Sequence, residues 1–578
     1  MKNSIKKRGQ KIIRRFSRAT TQVSEDGKEH IKENLIQRFS HVKNIRLLVL
    51  EWSLLVIALI LLSVTQAIWF TESYTDDVFT DGGTYTEATI GDVNSLNPLF
   101  ATTNSEKVLS RLLFATLSTI DYSGHPGVGL AQSIAPSDDG KTWTVKLRDN
   151  LKWSDGTPIT NEDVLYTVDL IKDPAVSSIY DSNLANVKVS EGENGEIFFA
   201  LPSTYVDFVS ALNFPIVPKH ELEDTDPRTI LEDSFSNVPV TSGAFSFNAL
   251  QSMPSSNEKV YYLSANPYYY RGKGLLNGFA VHTYGNKNDI IGAINASAVT
   301  ATAELSKADG EKITSNQFQR KDSSLSIGTF IFFNTTSSAM KNAELRTAIR
   351  QGIDINQIRG IDSSAIPLNY PILESQIKLN EYPALPVQDL DAAMAKVNEI
   401  KGDEPMNIEL ATINSGYFPN IANALADQLE KMGIKANVSI YEENQDFINN
   451  VVAKRSYDIL VYEVELGADP DPLPYYHSSQ ASSAGLNLSN YRNSLVDDLL
   501  LGARDTLDEA LRIKKYETFL GYWVNDVPAI GLHQSDLTYY YNRNTRTYGD
   551  DVRLITPLDR FTDVTNWATV KAIKDKTP

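Results

Sequence analysis

Cysteine is absent from all 578 residues. That excludes disulfides, thiolate metal sites, a cysteine nucleophile and a lipid-modified N-terminal cysteine. Histidine is scarce, at 7 residues, and those beyond the first 46 stand far apart as His125, His220, His282, His477 and His533. Isolated imidazoles of this kind are more often surface or hydrogen-bonded groups than ligands, so neither a metal nor another cofactor is expected. No H-E-x-x-H, G-x-S-x-G, phosphate-binding loop or G-x-G-x-x-G pattern occurs, so no catalytic residue is nominated and the chain does not read as an enzyme.

Positive charge is missing from most of the chain. Residues 1–46 hold 13 Lys and Arg against 4 Asp and Glu; subtracted from totals of 54 and 72, these leave 41 against 68 for the remainder. A body so acidic lacks the field that nucleic-acid binding requires, and no nucleic-acid partner is expected. The length exceeds what one core usually supports, so more than one folded unit is expected.

Between the basic and acidic parts lies LLVLEWSLLVIALILLSVTQAIWF, residues 47–70. Residues 52–70 carry no charge and, as a helix, would span about 28 Å, close to a bilayer core. Trp52 and Trp69 suit the two interfaces, and the Lys/Arg excess before the span predicts a cytoplasmic N-terminus. A cleavable signal peptide is the rival, but its apolar region is normally shorter and its leader rarely this long. The reading is therefore a single-pass anchor in the cell membrane: 1–46 a basic cytoplasmic segment, 47–70 the transmembrane helix, 71–83 a polar linker, and the main body extracytoplasmic.

The best punctuated stretch of the body is GKTWTVKLRDNLKWSDGTPITNEDVLYTV, residues 140–168. Trp143, Val145 and Leu147 alternate with polar residues, as in a half-buried strand. SDGTP is turn chemistry, and Thr160 with Asp163 has capping-box spacing. Turn and cap roles account for Asp155 and Asp163, so the stretch reads as architecture. Further on, MNIELATI, a helix face of Ile421, Leu425, Leu429 and Met432, KANVSIYE, the helical NQDFINNVVAKR and YDILVYEVEL form a β-α-β-α-β series. Such a series predicts a parallel sheet with helices on its faces and ligands beyond the carboxyl ends of the strands.

These segments resemble the peptide/nickel-type, family 5 extracellular solute-binding proteins of ABC importers. LKWSDGTPITNEDVLYTV is similar to the family's long D-G-T-P motif. GDVNSLNPLF (91–100), PVTSGAFSF (239–247), NPYYYRGKGLLNGF (266–279), FIFFNTTSSAMKNAELRTAIRQGIDINQI and the helical run from LSNYRNSLVDDLLL to VPAIGLHQ resemble its other segments in the same chain order, over roughly 84–565. LGADPDP is one residue shorter than the family's form and lacks its Trp, and FFNTTSSAMKNAELR lacks the usual Pro and Asp.

The resemblance implies a mixed α/β, two-lobed periplasmic-binding-protein-like fold with an extra subdomain in lobe one. Lobe one would be 84–332 with 534–570 and lobe two 333–533, with crossings near 331–335 and 531–535. It implies capture of di- or oligopeptides by hinge closure and delivery to an ABC permease served by separate ATPase subunits. Asp469 matches the position that holds a peptide's amino terminus. Tyr462, Glu463 and Glu465 on the preceding strand, and Asn104, Phe333, Asn334, Ser242 and Gly243 by motif proximity, complete the expected ligand site. A tethered sensor of the same fold for a non-peptide solute, and less readily an extracytoplasmic hydrolase, are the alternatives.

Overall fold

A computed structural model describes residues 46–575, apart from 185, 254–257, 363–365 and 443–444. The expected cytoplasmic segment up to residue 45 lies outside the described residues. The chain divides into two compact units, 1–78 with 571–578, and 79–570.

In the first unit, helix α1 (Arg46–Tyr74) runs into strand Thr75–Thr80, which pairs with Val570–Asp575. The expected linker 71–83 is thus partly helix and partly strand. Among the described residues no helix is long and apolar enough to cross a membrane. The side chains of α1 are described over 50–66 alone, and residues 47–49 and 67–70 of the expected span lie outside them. Its described large apolar side chains are exposed on every face, from 49 % at Val56 to 64 % at Leu62.

The second unit is organised by a ten-stranded sheet. Its strands are β1 (Thr84–Ile90), β2 (Phe245–Met253), β3 (Glu258–Ala265), β4 (Gly278–Tyr284), β5 (Ala301–Thr302), β6 (Phe318–Phe333), β7 (Met406–Ile413), β8 (Ile434–Tyr441), β9 (Ile459–Glu465) and β10 (Ala529–Asn542), in spatial order β8-β7-β9-β6-β10-β5-β1-β4-β3-β2. At one end β8, β7 and β9 are parallel, as the β-α-β-α-β series predicts. Helix Phe418–Lys431 connects β7 to β8, with Ile421, Leu425 and Leu429 fully buried. The second expected helix is shorter, a turn at Gln445–Phe447 continued by a π-helical Ile448–Val452.

Two hydrophobic cores flank the middle of this sheet. One includes Tyr85, Phe279, Leu325, Ile327, Leu537 and Tyr539, and the other Phe330–Phe333, Ile421, Ile459, Trp523 and Leu532. Lobe one and lobe two are named here by these cores. The long antiparallel pair β6 and β10 runs through both, and the passage between cores falls at 327–330 and 532–537. The ladder shifts register there, between Ser324 and Gly328 and between Thr329 and Phe330. On β6 the chain therefore leaves the first core a few residues before the expected 332/333 boundary. The cause is that FIFF, residues 330–333, continues the same strand into the second core.

Lobe one carries an additional antiparallel sheet, Ala131–Pro136, Thr142–Leu147, Glu196–Ala200 and Lys188–Glu191 in that order. The 140–168 stretch builds it. Trp143 and Val145 are buried, Asp155 Oδ1 accepts from the Thr157 amide at 2.9 Å, and Gly156 takes φ +93°, which favours glycine. The Thr160 amide donates to Asp163 Oδ2 at 2.8 Å at the start of helix Asn161–Lys172.

Candidate functional site

Strands β1 and β5 are parallel neighbours, so Ile90 and Thr302 bring their carboxyl ends to one edge of the sheet in lobe one. Such strand ends are where open α/β sheets bind ligands. After β1 the chain loops back into helix α2 (Asn104–Leu113). Its start is fixed by a capping box, with the Glu106 amide donating to Thr103 Oγ1 at 3.2 Å and the Thr103 amide donating to Glu106 Oε2 at 3.0 Å. Asn104, Lys107, Val108 and Arg111 stand at i, i+3, i+4 and i+7 and share one helix face. That face lines an interlobe chamber of about 490 Å³ with Tyr180, Glu304 and, from lobe two, Glu465.

A second chamber of about 500 Å³ lies beside the first and shares Asn104, Ala303, Glu304, Ile327, Leu537 and Pro557 with it. Its remaining walls include Lys307 and Asp536 from lobe one and Tyr417 and Glu463 from lobe two. The lobe-two wall follows from strand alternation. Glu463 and Glu465 face the chambers, while Tyr462 and Val464 turn to the lobe-two core, Tyr462 with its ring 5.8 Å from Phe447. Ser535 Oγ donates to Glu463 Oε2 at 2.6 Å across the hinge strands. The walls are close to charge balance because most groups are paired. Arg560 and Glu87 form a buried ion pair at 2.5 Å, Arg111 reaches Asp559 at 4.0 Å, and Lys307 reaches Asp536 at 3.1 Å.

Glu304 is half-buried and Glu465 keeps an exposed face, but the cleft walls around them desolvate both carboxyls and push them above their usual range. The positive charge of Lys107, reaching from the other lobe, opposes the rise at Glu465. At Glu304 the opposing groups are the Asn104 amide, at 3.3 Å, the Ile90 N–H and the charge of Arg560, while Glu87 adds to the rise.

Of the nine residues expected from the sequence, Asn104, Glu463 and Glu465 come together on the cleft walls. Phe333 is fully buried in the lobe-two core. Asn334 is also buried, donating to the carbonyls of Arg455 at 3.2 Å and Tyr457 at 3.0 Å. Ser242 Oγ accepts from the Ala115 amide at 3.0 Å, and a Cβ on Gly243 would sit 2.4 Å from the Leu112 carbonyl, so both serve close backbone packing. Asp469 lies on the loop after β9, outside the lining of both chambers. Its carboxylate is gripped by Arg512, and the next acidic residue, Asp471, by Arg504. The lobe-one segment around Asp207 closes against this loop. The Val206 amide donates to the Arg504 carbonyl at 3.1 Å, and the Arg504 guanidinium lies 4.8 Å from the centre of the Tyr205 ring. Burial, then the charges of Asp469 and Asp471, push the Asp207 carboxyl up to about 8.

Sequence reasoning missed Lys107, Arg111, Glu304 and Tyr417. The helical spacing after Asn104 was a usable signal for the first two. None marks Glu304, which follows a two-residue strand. Away from the cleft, Asp155, His220 and Glu221 bring ligand-type atoms within 4.8 Å of one another, with His220 Nε2 3.0 Å from Asp155 Oδ2.

A two-chambered cleft between lobes that share one hinged sheet defines a two-lobed solute-binding fold. Residues 125–487 match the model of the bacterial extracellular solute-binding proteins, family 5 middle region. The chain belongs to that family. It is 25 % identical over 478 residues to the oligopeptide-binding protein AppA of Bacillus subtilis, a match covering 77 % of this chain and 85 % of that protein. The solved structure of that AppA with a nonapeptide is similar at a TM-score of 0.69 and 20 % identity, covering 85 % of this chain and 99 % of that one. NikZ from Campylobacter jejuni with Ni(L-His) is similar at 0.70 and 21 %, covering 84 % and 99 %.

Proposed function

We propose that the chain is the membrane-anchored, extracytoplasmic receptor of an ABC importer. It captures peptides between its lobes and delivers them to a permease driven by separate ATPase subunits. The observation that carries this reading is the cleft itself, two adjoining chambers walled by charged side chains from both lobes. Such a cleft suits an extended, polar solute whose ends and side chains need separate partners. The oligopeptide-binding relative adds support. A ligand touching Asn104 of lobe one and Glu463 and Glu465 of lobe two at once favours the closed arrangement through contacts that the open one lacks. Asp469 contributes by holding its loop through Arg512, and it meets a peptide amino terminus only by exchanging that partner. The apolar α1, exposed all round and preceded by the basic segment, is the anchor in this reading.

The test uses the full chain in detergent micelles. Mass spectrometry identifies what co-purifies, and thermal shift is read against a mixed peptide library. A ligand of the folded form raises its melting temperature. Bound peptides and a positive shift are expected. An empty cleft with no shift from any peptide refutes the peptide assignment and transfers it to another solute.

A further inference from the structure

The charged groups of the cleft walls are nearly all matched. Arg111 faces Asp559, Arg560 holds Glu87, Lys307 holds Asp536, Glu463 accepts from Ser535, and Lys107 lies across from Glu465. Glu304 is the exception. It forms no ion pair among the described residues; its hydrogen-bond donors are the Asn104 amide and the Ile90 N–H, and the positive charge of Arg560, which favours its anion, is already held by Glu87, whose own charge disfavours it. Two ionised carboxylate oxygens offer about four acceptor positions, so acceptor capacity is left over. Glu304 belongs to the lining of both chambers, which puts it at the neck where they meet. Its backbone is fixed there by the end of β5, the Glu304 amide donating to Thr302 Oγ1 at 3.2 Å.

We propose that Glu304 is a specificity-determining residue that receives a positively charged group of the bound solute, an ammonium or a guanidinium, at the neck between the chambers. The inference rests on the cleft being the peptide site. A half-buried carboxylate with no ion-pair partner of its own gains from a cation that the ligand brings to hydrogen-bonding distance. The raised proton affinity of Glu304 has a consequence of its own. The empty protein takes up a proton there more readily than a free glutamate does, and a cationic ligand opposes that uptake. Binding of a cationic peptide therefore releases protons, while binding of a neutral one does not.

The experiment compares the full wild-type chain with Glu304→Gln by calorimetric titration near pH 5.5, in two buffers of different ionisation enthalpy. The probes are two pools of short N-acetylated, C-amidated peptides, one neutral and one with a single lysine per peptide. Glu304→Gln is expected to weaken the lysine pool about tenfold or more, to leave the neutral pool unchanged, and to abolish the proton release. Equal weakening of both pools, or of neither, overturns the inference and leaves the peptide reading standing. Failure of the wild type to bind either pool overturns the inference; the peptide reading falls with it only where peptides with free termini also fail to bind. If Glu304→Gln does not fold, Asn104→Ala keeps the charge and removes its amide donor. Binding of the lysine pool should then begin at higher pH than in the wild type, and an unmoved pH profile overturns the inference.

Discussion

Replacing Asp207 by asparagine removes a charge from the seam where the lobe-one segment 205–208 meets the Asp469–Asp471 loop. Burial and the two facing carboxylates lift the Asp207 carboxyl from 3.8 to about 8, with the Ser210 hydroxyl and Arg512 opposing the rise. A carboxyl raised in the folded state binds more protons there than in the unfolded chain. The stability it confers is fully present below about pH 4 and lost as pH climbs toward 8. At about 1.4 kcal/mol per pH unit, that interval sets a ceiling near 6 kcal/mol. The seam yields first. Among the described residues one backbone hydrogen bond and one cation–ring contact join its two sides, together worth about 2 kcal/mol. Beyond that cost the ionised side chain swings out to water. A carboxamide at this position imitates the neutral acid, so D207N should match the wild type at pH 4.5 and exceed it by about 2 kcal/mol at pH 8.5, or roughly 2 °C in Tm for a unit of this size. Differential scanning calorimetry across pH reads this directly, and hydrogen exchange at the Val206 amide reports the seam itself. Parallel Tm–pH curves, or a variant less stable than wild type at pH 8.5, would refute the reasoning.

Further outcomes follow from single contacts. Arg560→Met strands Glu87 in the lobe-one core and should cost about 3–5 kcal/mol in urea unfolding, while Glu87→Leu with Arg560→Met should recover most of it. Gly531→Ala places a Cβ 2.6 Å from the Leu368 carbonyl in the hinge. It should destabilise the present lobe arrangement and change peptide affinity more than it changes the helix content read by circular dichroism. Thr103→Ala removes the cap of α2 and should cost about 1 kcal/mol, measured by chemical denaturation.

The fold was legible where local chemistry and packing agree. The turn at Asp155–Gly156, the cap at Thr160 and the parallel β7–β9 series each rest on residues within one helix or strand of one another. The passage between cores was not, because β6 runs buried without a break from Leu325 to Phe333 and only its register records where the cores change. The site was half legible. Glu463 and Glu465 follow from alternation on a strand ending at the cleft, and Asn104 from its motif. Phe333 and Asn334 sit in a segment of strong resemblance that supports the core rather than the ligand. Glu304 depends on which strand neighbours which, β5 beside β1 across more than 200 residues of chain, and local sequence does not carry that pairing.

The ten-stranded sheet also decides how the lobes are able to move. A flexible tether permits translation, but β6 and β10 are laddered to each other on both sides of the passage between cores, and each is laddered onward into its neighbours. Sliding one lobe along the other would break those hydrogen bonds in series, whereas twisting and bending preserve them. The paired strands therefore act as a leaf spring. On the proposed reading, closing over a solute would bend one continuous sheet at the register shifts near Gly328, where the ladder is interrupted.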